Sequence, residues 1–194
     1  MENKLTFKYN SMKKSLILCL LICSGVSLKA QKFITKNGFI EFYGQTPLET
    51  IKADNNQVAS ILDAGTGEIV FQALMKSFHF ERALMEEHFN ENYVESDKYP
   101  KSVFKGKITD LSKVDFKKDG TYPVQVEGDL TIHNITNKVT QPGTLEIKGN
   151  SIEAKSNFKV KPEDYKIEIP GVVREKIAKD MDVTVDMKYE PMAN

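Results

Sequence analysis

Residues 77–108 read SFHFERALMEEHFNENYVESDKYPKSVFKGKI, and the changes of period along this stretch decide the fold. It leaves a strand pattern, runs through one amphipathic helix, meets a Tyr-Pro stop and resumes as strand. Leu84, Met85, His88 and Phe89 share one helical face, while Glu86, Glu87, Asn90 and Glu91 form a solvated face opposite. The spacing predicts a helix over 82–92 with a single face to bury. Pro100 disfavours helix at Tyr99 and returns the chain to extended structure, so Val103 to Leu111 reads as the next strand. The helix is a lid-like insert in an otherwise β chain.

Working outward, several segments alternate apolar and polar residues, the period of a strand with one buried and one wet face. Val124, Val126, Gly128, Leu130 and Ile132 point one way while Gln125, Glu127, Asp129 and Thr131 point the other. Leu145 and Ile147 alternate with Thr144, Glu146 and Lys148, and Ile152, Ala154, Ser156, Phe158 and Val160 share a side beyond the tight hairpin Lys148-Gly149-Asn150. Val183, Val185, Met187 and Tyr189 make the closing strand, which ends before Pro191. Upstream, Lys32 to Tyr43, Leu48 to Asp54, Gln57 to Asp63 and Glu68 to Phe80 read as strands punctuated by Asn37-Gly38, Gln45-Thr46-Pro47, Asn55-Asn56 and Gly65-Thr66-Gly67. Ile69, Phe71, Ala73 and Met75 face one side of the last of these and Val70, Leu74 and Phe78 the other. A covering element is therefore expected on its outer face, the 82–92 helix first and a turn at Val172 to Lys179 second.

The count reaches about eight or nine antiparallel strands with one or two short helices, so the fold class is all-β. Such a set hides its edges either as a sandwich or as a closed barrel, and periodicity does not choose between them. Small inward residues, Gly128, Ala154 and Ser156, sit among large ones, which suits an eight-stranded barrel whose interior side chains either fill or leave open for one slender ligand.

Residues 1–30 read as a signal peptide, with Lys13 and Lys14 before the apolar run Leu16 to Ile22 and small residues at Ser27-Leu28-Lys29-Ala30. Ser24, Gly25 and Ser27 interrupt the run before it reaches the ~20 residues that span a bilayer, so no stable membrane span is expected after cleavage. Met12 is an alternative start. Lipidation at Cys23 is disfavoured by Ile22, where lipoprotein signals place a small residue. The domain is then 31–194, about 164 residues, enough for one core. Both cysteines, Cys19 and Cys23, fall in the signal, so no disulfide or thiolate chemistry is expected of the remainder. Residues 1–30 take five lysines and one glutamate from totals of 27 and 27, leaving 22 basic against 26 acidic side chains. Only two arginines occur, Arg82 and Arg174, and no basic stripe remains to hold nucleic acid. His79, His88 and His133 lack metal-ligand spacing, so neither a metal nor a cofactor is expected. There is no Gly-x-Ser-x-Gly turn, and adjacent Glu86 and Glu87 splay apart on a helix, so the residues offer no catalytic constellation. Asn134-Ile135-Thr136 matches a glycosylation pattern that chance accounts for.

Three blocks resemble the YceI-like family of periplasmic lipid-binding barrels. The first is Ser77-Phe78, Leu84-Met85, His88-Phe89-Asn90, Tyr99-Pro100 and Phe104 to Ile108. The second is Gly128 to His133 with Thr136, Val139 and Leu145, and the third is Phe158-Lys159-Val160, Asp164-Tyr165, Ile169-Pro170 and Val183-Thr184-Val185. Two stretches depart from the family pattern: Gln31 to Asp63 lacks a Trp and His-Ser opening, and Asn134-Ile135-Thr136 stands where a glycine is common. The resemblance implies a lipocalin-like antiparallel barrel with an elongated apolar cavity, a periplasmic location, and binding of a long polyisoprenoid, isoprenoid quinone or fatty chain without catalysis. The inward faces then give Phe71, Met75, Phe104, Leu130, Ile132, Leu145, Phe158, Val160, Val185 and Met187 as the ligand lining, although every barrel needs inward apolar residues simply to fill its core. His133, at the end of the cleanest strand, is a candidate for contact with a polar headgroup at the mouth. Two further readings stay open: a barrel with a filled core that binds a protein partner, and a lipid-modifying enzyme acting through His133. The sequence also leaves a homodimer open.

Overall fold

Closure is set by the first two strands. In the computed structural model, which describes residues 31–193, β1 (Lys32–Gln45) pairs with β2 (Thr50–Asp63) from Lys32↔Asp63 to Gln45↔Thr50. The expected signal, Cys19, Cys23 and Met12 lie outside the described residues. The remaining strands are β3 (Glu68–Leu74), β4 (His79–Phe80), β5 (Lys101–Ile108), β6 (Gly120–Ile132), β7 (Ile135–Lys148), β8 (Ser151–Val160) and β9 (Met181–Pro191). Around the wall the order is β1-β9-β8-β7-β6-β5-β3-β2, and the β1–β2 pairing joins its ends. The result is a closed eight-stranded antiparallel barrel, with β4 as a ninth strand laid on the first half of β2. The sandwich alternative is thereby removed.

The two barrel ends differ. At the end carrying the β2–β3 and β7–β8 turns, Phe33, Val58, Leu62, Ile108, Ile147, Ile152, Met187 and Tyr189 meet as a filled core. Tyr189 is almost wholly buried, and burial pushes its phenol well above the ordinary tyrosine value despite a hydrogen bond with Ser60. The Ser60 hydroxyl donates to the Val70 carbonyl at 2.8 Å, leaving its oxygen to accept from Tyr189 at 2.6 Å. Tyr189→Phe should lower stability by about 1 kcal/mol in a urea titration, the usual worth of one internal hydrogen bond.

Several local expectations change. Asn55-Asn56 is not a turn dividing two strands; β2 runs unbroken, and the step from Ile40↔Asn55 to Gly38↔Val58 sets three residues of β2 against two of β1, a β-bulge. The buried Asn55 side chain makes this stable, its amide donating to the Leu74 carbonyl at 3.0 Å and its oxygen accepting from the Gln57 N–H at 2.8 Å. Asn37-Gly38 is likewise a register shift within β1. The strand read as Glu68 to Phe80 stops at Leu74, and a 3₁₀ turn at Met75–Ser77 redirects it into β4. The strand read from Val103 ends at Ile108, and Leu111 opens a short 3₁₀ turn. β7 begins ten residues before Leu145, because His133 and Asn134 adopt φ of 50° and 60° and make a two-residue hairpin turn.

Among the described residues no helix covers the outer face of β3, where Val70 and Leu74 stay 40% and 45% exposed. Helix α1 (Ala83–His88), continued by a wider turn Phe89–Tyr93, lies across the open end instead. An aromatic quartet holds it there: Phe42 of β1, Phe78, Phe80 of β4 and Phe89 stand with ring centroids 5.0–5.9 Å apart, tilted or edge-on. Glu86 is correspondingly not on a purely solvated face; its carboxylate accepts the Phe80 N–H at 3.1 Å.

Candidate functional site: an apolar cavity in the open half of the barrel

Above the filled core the inward side chains stop meeting, and a cavity of about 590 Å³ opens, lined almost entirely by apolar groups. Its floor is shared with the core through Ile69, Ile108, Val124, Leu145 and Ala154. Phe71, Phe104, Leu130, Ile132, Phe158, Val160 and Val185 form the wall, each on the inward face that strand alternation predicts. α1 contributes Leu84, Met85, His88 and Phe89, so the apolar helical face does find its cover, over the barrel mouth rather than outside the sheet.

Nine of the ten residues expected to line the interior do so, including Met75. Met187 does not. It lies fully buried in the closed end, where it fills the space beside Gly38; a Cβ on Gly38 would fall 2.1 Å from its sulfur. Gly128 does not leave room for a guest either. It pairs with Gly106 on β5, and the Phe104 ring occupies the inward space above both. Alternation identifies a face but not the height at which that face stops being filled.

The turn expected at Val172 to Lys179 is present as a 3₁₀ turn at Gly171–Lys176, but it roofs the cavity instead of covering the outer face of β3, and the segment before it was not expected to join it. After β8 a 3₁₀ turn Pro162–Tyr165 and a second at Gly171–Lys176 carry Ile167, Ile169, Val173 and Ile177 over the opening. The signal available was apolar residues recurring within a charged, Pro-bounded segment. At the rim Arg82 bonds Glu49 at 2.7 Å, and this bond holds the Glu49 carboxyl below the usual range against the opposing effect of desolvation, with Lys176 adding a weaker pull.

His133 is not a wall residue. Its Nε2 meets the Glu95 carboxylate at 2.8 Å, its Nδ1 lies 3.2 Å from the Tyr165 carbonyl, and Tyr99 stands edge-on at 4.6 Å. These contacts clasp the β6–β7 turn to the segment after α1 and to the turn after β8, so the imidazole is spent on structure and is not presented to a headgroup. The hydrogen bond from His133, opposed by desolvation and aided by Lys98, holds the Glu95 carboxyl below its ordinary value. A carboxyl depressed in the folded state stabilises fully above its unfolded value, and that contribution is lost as pH falls through the folded one. Urea midpoints taken from neutral pH into the acid carboxylate range should therefore fall more steeply for the native protein than for Glu95→Gln.

Among the described residues no three His, Cys, Asp or Glu side chains group as metal ligands, and no helix is long and apolar enough to cross a membrane. Residues 29–189 match the family model of the YceI-like domain. The chain belongs to the YceI-like family. Comparison with curated proteins returned no match. Solved structures with the same YceI-like fold include a polyisoprenoid binding domain from Saccharophagus degradans implicated in plant cell wall breakdown, with a TM-score of 0.72 at 13% identity over 84% of this chain and 99% of that one. BcnA of Burkholderia cenocepacia aligns with a TM-score of 0.65 at 13% identity, covering 78% and 95% of the two chains. The Campylobacter jejuni YceI protein gives 0.54 at 15% identity, covering 78% and 85%. At such identities the likeness speaks for the barrel, and the cavity of this YceI-like chain has to be read from its own residues.

Proposed function

We propose that the barrel binds one long apolar chain, of isoprenoid, isoprenoid-quinone or fatty type, and carries it through the bacterial periplasm without chemical change. The cavity carries this reading: its volume falls within the ~300–1,000 Å³ of small-molecule sites, and its walls are predominantly apolar, with Glu49, Arg82 and Lys176 at the rim. The solved relative described as a polyisoprenoid binding domain supports the ligand class. The basic, apolar and small-residue succession in 12–30, together with cysteines confined to that stretch, supports the location. For catalysis, no nucleophile, base and orienting group converge on the cavity among the described residues: His88 reaches it from α1 among apolar neighbours, and His133 is held by its own clasp.

The driving force is transfer of ligand surface from water. Covering about 400 Å² of hydrocarbon returns on the order of 10 kcal/mol, from which association and chain ordering subtract several. Affinity should therefore rise with chain length until the cavity is full. The reading as a filled interaction barrel fits the lower half of the molecule and not the upper.

The test is native mass spectrometry and lipid extraction of protein secreted to a bacterial periplasm and purified without detergent. An apolar passenger in stoichiometric amount is the expected result. Empty protein that also shows no saturable uptake of a pyrene-labelled long-chain fatty acid would overturn the proposal.

A further inference from the structure

The barrel wall is not continuous. β7 and β8 are both long, yet they pair only from Lys148↔Ser151 to Thr144↔Lys155. Their hairpin turn has two residues, so Lys148 and Ser151 form a mutually bonded pair, and every second position thereafter, Glu146 and Thr144, again exchanges hydrogen bonds with β8. The next such position is residue 142, opposite Asn157. It is proline, which has no N–H to give. The ladder stops there, and the Pro142 carbonyl accepts instead from the Ser156 hydroxyl at 2.6 Å.

Beyond that point the strands separate around a recess of about 540 Å³. Leu130, Val139, Gln141, Phe158 and Val160 line both this recess and the main cavity, so these side chains alone stand between the two. The recess is mainly polar, with Lys138, Thr140, Lys159 and Asp180 on it, and the apolar groups it reaches, Val139, Phe158 and Val160, are those it shares with the main cavity. The slot is framed rather than frayed. Ser156 closes it below, and above it the Asn137 amide donates to the Asp164 carbonyl at 2.8 Å while His133 contacts Tyr165. Between those frames β7 runs from Asn137 to Pro142, about 16 Å at ~3.3 Å per residue. The barrel's axial end is by contrast roofed by α1, whose Phe89 is fixed in the aromatic quartet.

We infer that the slot between β7 and β8 is a side entrance through which a long apolar chain reaches the cavity, and that Pro142 keeps it open by withholding the next ladder hydrogen bond. This rests on the cavity being a chain-binding site. A flexible chain enters such a slot sideways, its apolar length meeting Val139 and Phe158 as it leaves water, and no roof element has to detach.

The test uses the full chain with Cys19→Ser and Cys23→Ser, so that the introduced thiols are the only ones. Thr140→Cys and Lys159→Cys stand opposite one another in the continued β7–β8 register and carry outward side chains, so a bismaleimide with a reducible spacer bridges the slot without filling the cavity. Stopped-flow uptake of a pyrene-labelled long-chain fatty acid should slow by roughly an order of magnitude on bridging, with unchanged equilibrium capacity, and recover on reduction. Pro142→Thr should slow uptake as well, and hydrogen exchange should show its new N–H protected by pairing with Asn157. Bridged protein that loads at the native rate overturns the side entrance while leaving the cavity as the binding site. Native protein that takes up no probe removes the chain-binding reading and this inference with it.

Discussion

Ala154→Phe is expected to cut the affinity for a long apolar probe by about seventyfold while leaving the barrel folded. Ala154 points inward from β8, pairs with Leu145 and Met187 on its neighbours, and forms part of the cavity floor. A phenyl ring there projects upward into space that the wall leaves empty. If it displaces about 100 Å² of ligand contact, the loss at 25 cal/mol per Å² is about 2.5 kcal/mol. The same ring buries its own surface, so thermal stability of the ligand-free protein should hold or rise. That opposition distinguishes the cavity reading from a general packing defect, which would lower both quantities together. Titration of a pyrene-labelled fatty acid measures the first and calorimetry the second. Unchanged affinity in a folded variant would place the ligand elsewhere and remove the cavity from the function.

Most of the barrel was legible because its strands are half-buried and alternate without interruption. Val124 to Ile132 and Asp182 to Glu190 are such segments, and their inward sets were read correctly. What misled was side-chain hydrogen bonding that lets a strand pass through residues of turn type. Asn55 looks like punctuation in isolation, and only the distant Leu74 carbonyl, nineteen residues on, gives its amide a reason to be buried. The same distant contact helps fix where β3 ends. Chain closure was not readable either, because the β1–β2 pairing that seals the wall is one hairpin among several until the strand at its far side, β9, is seen to pair with β1.

The cavity wall was more legible than its limits. Strand period gave the inward faces and the family resemblance gave the cavity, and together they named nine of its lining residues. The boundary between filled and empty interior depends on how the strands tilt and where large side chains from different strands coincide, as Met187 does with the gap at Gly38. The roof was less legible still, since Ile167 to Ile177 follows no strand or helix period. The side slot was written in one residue, Pro142, whose meaning depends on which neighbour its missing N–H would have faced.

Gly128→Ala should destabilise the protein by about 3 kcal/mol or more, the upper range for overpacking, and Gly128→Val should prevent folding altogether. Gly128 and Gly106 face one another across β6 and β5. A Cβ at Gly128 would lie 2.4 Å from the Lys105 carbonyl oxygen and 2.5 Å from the Gly106 Cα, with the Phe104 ring at 2.8 Å. Two of these three neighbours are main chain, so no rotamer change relieves the contact and the strands themselves must part. Gly106→Ala differs, because there the nearest neighbour is the Phe104 ring at 2.3 Å, although the Glu127 carbonyl follows at 2.6 Å. Phe104→Ala should consequently restore part of the loss at Gly106→Ala and little of the loss at Gly128→Ala. Urea midpoints of the two double variants measure the contrast. A Gly128→Ala protein within 1 kcal/mol of native would mean that β5 and β6 separate freely. The glycine pair would then not be what makes room for the Phe104 ring against β5 and β6.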